Sequence, residues 1–233
     1  MNTINFSDFE KKTGVIFKDK NLLKQAFIHR SYINENTNTG MSHNERLEFL
    51  GDAVLELVVT DFLYKKYPSF TEGELTALRS ALVNAVIISE IASEIGMNDY
   101  LLLSKGEAKD NGKARQYILA NTYEAYVGAI FMDSGYDKAD KFITDTLLPH
   151  TEEIVAKKLW RDAKSLVQEK AQEFFNVTPS YKVIQESGPD HDKHFTIGIF
   201  FGSEHIAEGK GQSKQEAEQK AAGEALKVKN WLD

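Results

Sequence analysis

An all-α domain followed by a small α+β unit is the fold this sequence predicts, and three observations predict it. Apolar residues recur at three- and four-residue spacing from about Phe6 to Val155. Beyond Ala163 the period changes, and a helical run is followed by three β-like runs and a second helical run, giving the order α-β-β-β-α. Between the two textures the charged, weakly periodic TEEIVAKKLWRDAK from Thr151 reads as a short connector rather than a flexible Gly/Ser linker. The boundaries expected are 1–156 for the helical domain, 157–162 for the connector and 163–233 for the α+β unit. At 233 residues and 42% hydrophobic content the chain is long enough to bury a core in each part.

The helical pattern is clearest in LLKQAFIHRSY, RLEFLGDAVLELVVTDFLYKKY and YILANTYEAYVGAIFMDSGY. Its punctuation is also present: Ser42 and Glu45 have capping-box spacing, Pro68 and Gly73 mark a turn, and Gly135 follows the last apolar turn of its helix. In the second unit the helices are SLVQEKAQEFF and SKQEAEQKAAGEALKVK, and the strands SYKVIQES, HFTIGIFF and EHIAEGKG. Two helices on one face of a small antiparallel sheet is the compact solution for that order.

Composition narrows the chemistry. With no cysteine there are no disulfides, thiolate zinc sites or cysteine nucleophiles, so a metal here takes oxygen or imidazole ligands, which points to hard cations such as Mg²⁺ or Mn²⁺. The polar N-terminus has no apolar leader, and no stretch reaches the roughly 18 uncharged apolar residues of a membrane span, so a cytoplasmic protein without membrane contact is expected. A formal charge of −7 argues, alone, against nucleic acid as a partner. A carboxylate-rich metal site lowers net charge, however, while a local basic patch still binds phosphates.

Such a site is readable. In SHNERLEFLGDAVLEL the carboxylates of Glu45, Glu48 and Asp52 fall at i, i+3 and i+7, one stripe of a helix otherwise rich in Leu47, Phe49, Leu50, Ala53, Val54, Leu55, Leu57 and Val58. That helix is expected to be largely buried, and buried carboxylates are costly unless paired or holding a metal. Glu45 has the capping-box role as an equal alternative. A second apolar helix carries Glu124 with Asn121 one turn earlier, and two facing oxygen-bearing helices make a divalent site of the kind helix bundles host.

The string ERLEFLGDAVL resembles the signature of the ribonuclease III family, and IHRSY, FTEGELTALRSALV and YEAYVGAIFMDSGY follow in that family's order. What the resemblance implies is an all-helical endonuclease domain that forms a homodimer and cuts double-stranded RNA in a staggered way. The products carry 5′-phosphate and 3′-hydroxyl ends, the metal is Mg²⁺ with Mn²⁺ able to substitute, no organic cofactor is needed, and processing of rRNA and mRNA is the expected role. On that pattern Glu48, Asp52 and Glu124 match metal-binding positions, with Asp52 and Glu124 catalytic. Glu45 and Glu72 match acidic residues of the cleft, and Phe49 an apolar knob inserted into the partner; an ordinary core phenylalanine is the equal alternative. His29 falls in a structural segment and reads as a hydrogen-bonded histidine rather than a general base.

One position departs. The family usually carries Asp where this chain has Asn121, an amide that can bind a cation but adds no charge. Three explanations remain open: a working variant with a weaker or softer-metal site, a substitution that stalls catalysis, or a relative that binds RNA without cutting it. A phosphohydrolase of small molecules would leave the C-terminal unit without a purpose.

That unit, in ESGPDHDKHFTIGIFFG and GKGQSKQEAEQKAAGEAL, resembles a double-stranded RNA-binding domain, which reads A-form shape across two minor grooves. By position Gln168 and Glu169 would face one groove, the Pro189, Asp190, His191 turn the next, and Ser213, Lys214 and Lys220 the phosphates. A solvated helix face is the alternative for the two lysines. Nine Lys and Arg against eleven Asp and Glu from Ala163 to Asp233, a net of −2, make binding modest and salt-sensitive.

Overall fold

A computed structural model describes residues 4–37, 40–109, 112–156, 163–189 and 193–231. The chain divides into two compact units, Met1–Trp160 and Arg161–Asp233. Among the described residues the first is helical: α1 (Phe6–Thr13), α2 (Lys20–Ala26), α3 (Arg30–Glu35), α4 (Glu45–Lys66), α5 (Glu72–Leu82), α6 (Ala85–Glu94), α7 (Lys113–Ser134), α8 (Tyr136–Thr146) and α9 (Thr151–Ala156), with short 3₁₀ turns at Met97–Tyr100, Glu107–Lys109 and Leu148–His150.

Helix α7 is the axis of this unit. From Ile118 to Ile130 it buries residues on almost every side, which is the property of a central helix rather than an amphipathic surface one. Its Tyr126 ring packs edge-on against Phe9 at 5.2 Å and against Phe142 at 5.1 Å, and its hydroxyl meets Thr13 Oγ1 at 3.1 Å. Gly135, at φ +83°, ends the helix where the sequence places its stop.

Helix α4 crosses α7 through two glycines. A methyl group built on Gly51 would overlap the carbonyl oxygen of Glu124, and one built on Gly128 would overlap that of Leu47, so the backbones touch with no side chain between them. The start of α4 differs from expectation. Its N-cap is Asn44, not Ser42, so Ser42 and Glu45 form no capping box. Asn44 is buried because its amide donates to the Ala26 carbonyl at 3.0 Å and its backbone N–H to that of Ile28 at 2.9 Å, tying α4 to the end of α2. A reciprocal capping box does form at α5, between Thr71 and Glu74, which puts Gly73 inside that helix rather than in the preceding turn.

Two further expectations are corrected. Helix α4 is not largely buried: Leu47, Val54, Leu55, Val58 and Val59 enter the core, whereas Phe49 stands 83% exposed and Leu57 57%, with Asp52 and Ala53 also exposed. The segment from Thr151 does not begin as a connector, because α9 buries Thr151 and Ile154 in the first core; residues 157–162 lie outside those described. No single described helix is long and apolar enough to cross a membrane; the bent pair α5 and α6 passes by length and composition, yet Leu78, Leu82, Ile88 and Ile91 are core residues.

The second unit has α10 (Ala163–Phe175), β1 (Pro179–Ser187), β2 (His194–Phe201), β3 (Glu204–Gly211) and α11 (Lys214–Val228), with β2 central in an antiparallel β1-β2-β3 sheet. Its core joins Val167 and Ala171 of α10, Ile199, Phe201 and Ala207 of the sheet, and Ala221, Ala222 and Ala225 of α11. The alanines let α11 lie close on β3, where a side chain at Gly209 would meet the backbone of Ala217 and Ala221.

The glycine crossing generates a stability prediction. Gly128→Ala forces α4 and α7 apart and lowers the unfolding free energy by about 1–3 kcal/mol, measured as a fall in the urea midpoint. An unchanged midpoint would show that the crossing is not tight.

Candidate metal centre and nucleic-acid interface

The crossing of α4 and α7 decides which side chains meet. Glu48 and Asp52, one turn apart on α4, face Asn121 and Glu124, one turn apart on α7. The charges acting on Glu124 are those of Asp52 and Glu48, and those acting on Glu48 are Glu45 and Asp52. Burial pushes the Glu124 carboxyl up to about 7, and its two like-charged neighbours add to the effect. Glu48 is raised as well, by burial first and then by Glu45 and Asp52, while a side-chain hydrogen bond from Asn121 opposes the shift.

Among the described residues no lysine or arginine is one of the groups acting on Glu48 or Glu124. Among the described residues no cation offsets these like charges, and an all-oxygen set of three carboxylates and one amide suits a hard divalent ion. Among the described residues no three carboxylate, imidazole or thiol groups already stand close enough to hold a metal unaided. The amide of Asn121 is the fourth oxygen of the group.

The other predicted residues spread around this centre. Glu45 opens α4 and is exposed, and its carboxylate lies 3.6 Å from Arg30 Nη1 and 3.7 Å from His43 Nδ1. Glu72 opens α5, is exposed, and accepts from Thr76 Oγ1 at 3.3 Å; it is not among the charges acting on Glu48 or Glu124. His29 caps α3: its Nδ1 accepts the Ser31 N–H and sits 2.8 Å from Ser31 Oγ, and burial lowers its pKa. That is the structural role read for it. Gly51, Gly128 and Asn44, which position the centre, were missed. Glycines inside the apolar runs LEFLGDAV and AYVGAIF were the available signal.

In the second unit Gln168 and Glu169 are exposed on α10, and Pro189 is exposed after β1. Asp190 and His191 lie outside the described residues. Ser213 is the N-cap of α11, its Oγ accepting the Glu216 N–H at 3.1 Å. Lys214 Nζ lies 5.7 Å from the Phe195 ring centroid, and Lys220 pairs with Glu216 at 2.6 Å, so the lysine charge is shared with a carboxylate.

Comparison with known proteins matches residues 19–151 to the family described as ribonuclease-III-like and residues 163–229 to the double-stranded RNA binding motif. Ribonuclease 3 of Borreliella burgdorferi is 44% identical over 222 residues, which is 95% of this chain and 90% of that one. Ribonuclease 3 of Protochlamydia amoebophila is 46% identical over 217 residues, covering 93% and 89%. A solved nuclease domain of ribonuclease III from Campylobacter jejuni, described for flexibility in a region involved in dimer formation, is 38% identical with a TM-score of 0.55, covering 62% of this chain and 99% of that one.

The raised Glu124 value fixes the sign of a pH effect. Because the folded chain holds a proton there that the unfolded chain releases at lower pH, this group's contribution to stability falls as pH rises through the window ending at about 7. In chelator, Glu124→Gln is equal to the parent in stability in mild acid and gains on it by about 1–3 kcal/mol at alkaline pH, the partial exposure of the carboxyl holding the gain below the full shift. Thermal unfolding across pH measures this, and a variant no more stable than its parent at pH 8 contradicts the coupling.

Proposed function

Since the chain belongs to the ribonuclease III family and is an endoribonuclease for double-stranded RNA, we propose that it works as a Mg²⁺-dependent homodimer whose centre is built by Glu48, Asp52, Asn121 and Glu124. The observation that carries this reading is the crossing of α4 and α7, which sets three mutually repelling carboxylates beside one amide, with no cation acting on Glu48 or Glu124 among the described residues. A divalent ion held there would supply the Lewis acidity that activates a water and stabilises the charge building on the scissile phosphate. Glu48, Asp52 and Glu124 would hold that ion through oxygen, Mg²⁺ or Mn²⁺ being the cations such a set takes. The Glu124 carboxyl, poised near neutrality in the free protein, exchanges a proton readily around physiological pH.

Glu45 and Glu72 line the approach, and the Arg30 and His43 partners of Glu45 hold it at the mouth of the centre. Cleavage gives 5′-phosphate and 3′-hydroxyl ends with a stagger between strands, in the cytoplasmic processing of rRNA and mRNA. Gln168, Glu169 and Pro189, with Ser213, Lys214 and Lys220 at the start of α11, face the duplex grooves and phosphates. Two such units per dimer raise a modest single-unit affinity through avidity.

The second copy is supported by α4 itself. Phe49 and Leu57 stand exposed two turns apart, with Tyr64 72% exposed further along. An apolar stripe of that kind on an otherwise core helix is covered by a partner. Exposure of Phe49 removes the reading of it as an ordinary core residue.

Asn121 favours one competing reading, a duplex-binding relative with impaired catalysis. Titrating Mg²⁺ and Mn²⁺ against cleavage of a long RNA duplex separates the two. The parent chain cuts, and Asn121→Asp lowers the metal concentration needed by about tenfold through the added ligand charge. Binding without cutting by the parent, with or without rescue by Asn121→Asp, supports the competing reading. Phe49→Ala, in equilibrium sedimentation, weakens the dimer by at least about tenfold; an unchanged dimer excludes the α4 stripe as the contact.

A further inference from the structure

Both helices of the second unit pack on one face of its sheet, where Ile199, Phe201 and Ala207 are buried against Val167, Ala171 and Ala221. The opposite face is open, and its side chains are not those of a merely solvated surface. Central strand β2 presents Thr196, Gly198 and Phe200 there. Across from Phe200 stands His205 of β3, across from Gly198 stand Lys182 and Glu208, and across from Thr196 stand Gln185 and Lys210.

These groups form a small aromatic and basic platform. The Phe200 and His205 rings lie 5.0 Å apart at 50°, and Lys182 Nζ lies 5.0 Å from the Phe200 centroid. Gly198 makes room for them: a methyl group there would strike Ile184 Cδ1, Phe200 Cε2 and His205 Cδ2. A register shift between Val183 and Gln185 leaves Ile184 unpaired and 48% exposed at the edge of the same patch. Glu208 lies 3.6 Å from His205 Nε2, Lys182 of β1 stands over the Phe200 ring, and Lys210 of β3 lies further along the same face, across from Thr196. With Lys182 and Lys210 against Glu208, the named residues of this face carry an excess of positive charge in a unit whose net charge is −2.

A half-buried Phe200 ring beside an exposed His205 ring on the open side of the sheet, with the Lys182 ammonium over the Phe200 face, matches the chemistry of unpaired nucleotides. Every base offers a π-face for stacking, and the lysines meet the adjoining phosphates. A duplex does not fit, because its bases are stacked inside and cannot reach a flat sheet. A protein partner is less well matched, since the apolar area is small and interrupted by cations.

We propose that the open sheet face around Phe200, His205 and Lys182 binds single-stranded RNA, one or two unpaired bases stacking on the rings while Lys182 and Lys210 contact phosphates. The single strands that flank a duplex region are the source of such a ligand, and this surface is distinct from the helix-borne duplex contacts proposed above.

The test uses the full chain in chelator at low salt, with fluorescence anisotropy of a short labelled oligouridylate and, in parallel, of a blunt RNA duplex. Phe200→Leu keeps the cover on Gly198 but removes the π-face, and Lys182→Ala removes one cation. The parent binds the oligouridylate saturably, Phe200→Leu weakens this about tenfold, and Lys182→Ala reduces the slope of log affinity against log salt by about 0.7. Duplex affinity stays within about twofold for both variants, which separates failure of this inference from failure of the duplex reading. Absence of saturable oligouridylate binding, or unchanged affinity in Phe200→Leu, overturns the proposal. So does a parallel loss of duplex affinity, which would make the face part of the duplex footprint, or a change in oligomeric state, which would make it a protein contact.

Discussion

The close crossing of α4 and α7 is the constraint on which the rest of the first unit depends. Without Gly51 and Gly128 the helices would separate by roughly a side-chain layer, since packed helix axes normally lie about 8–10 Å apart according to the residues at the contact. Separation would do more than loosen the core. It would draw Glu124 and Asn121 away from Glu48 and Asp52, and the electrostatic coupling among the carboxylates would decline with distance. The same two glycines thus serve packing and chemistry at once. Asn44 completes the arrangement by fixing where α4 begins, so that the carboxylates have a defined height along the crossing.

Helix α4 consequently has three faces with different tasks. One enters the core through Leu47, Val54, Leu55 and Val58, a second carries Glu48 and Asp52 toward α7, and a third leaves Phe49 and Leu57 in solvent. Its apolar residues run almost all round, which is why sequence periodicity reports a buried helix. Periodicity measures how hydrophobic each side is and not what covers it, so a core face and a subunit face give the same signal.

That distinction marks how much was legible. The order of elements was, because helical and strand periods differ and the α-β-β-β-α pattern has few compact solutions. The strands HFTIGIFF and EHIAEGKG coincide with β2 and β3. The carboxylate stripe was legible too, since i, i+3 and i+7 spacing fixes a helix face whatever the tertiary structure. Cap chemistry was harder. Ser42 and Glu45 have the spacing of a capping box, but Asn44 makes tertiary hydrogen bonds to the end of α2 that set the helix start two residues later. The glycine crossing was hidden for a related reason: an isolated glycine in an apolar run says that something approaches closely, not what. The partner of each glycine lies on a helix more than seventy positions away in the chain.

An acidic protein that acts on a polyanion has to solve an electrostatic problem, and the distribution of its charges solves it locally. Glu48, Asp52 and Glu124 lower the net charge while raising one another's repulsion at one crossing, where Glu48 and Glu124 are partly buried and Asp52 stands exposed beside them. A divalent ion bound at the proposed centre would offset these charges and let a phosphate approach. Asn121 takes a share in that balance: with an amide in place of a fourth carboxylate, the free group carries less repulsion, and the same group holding a cation would carry more positive charge. On the proposed reading, affinity lost for the metal would be partly regained as affinity of the loaded site for phosphate, which would link metal binding and RNA binding at this centre.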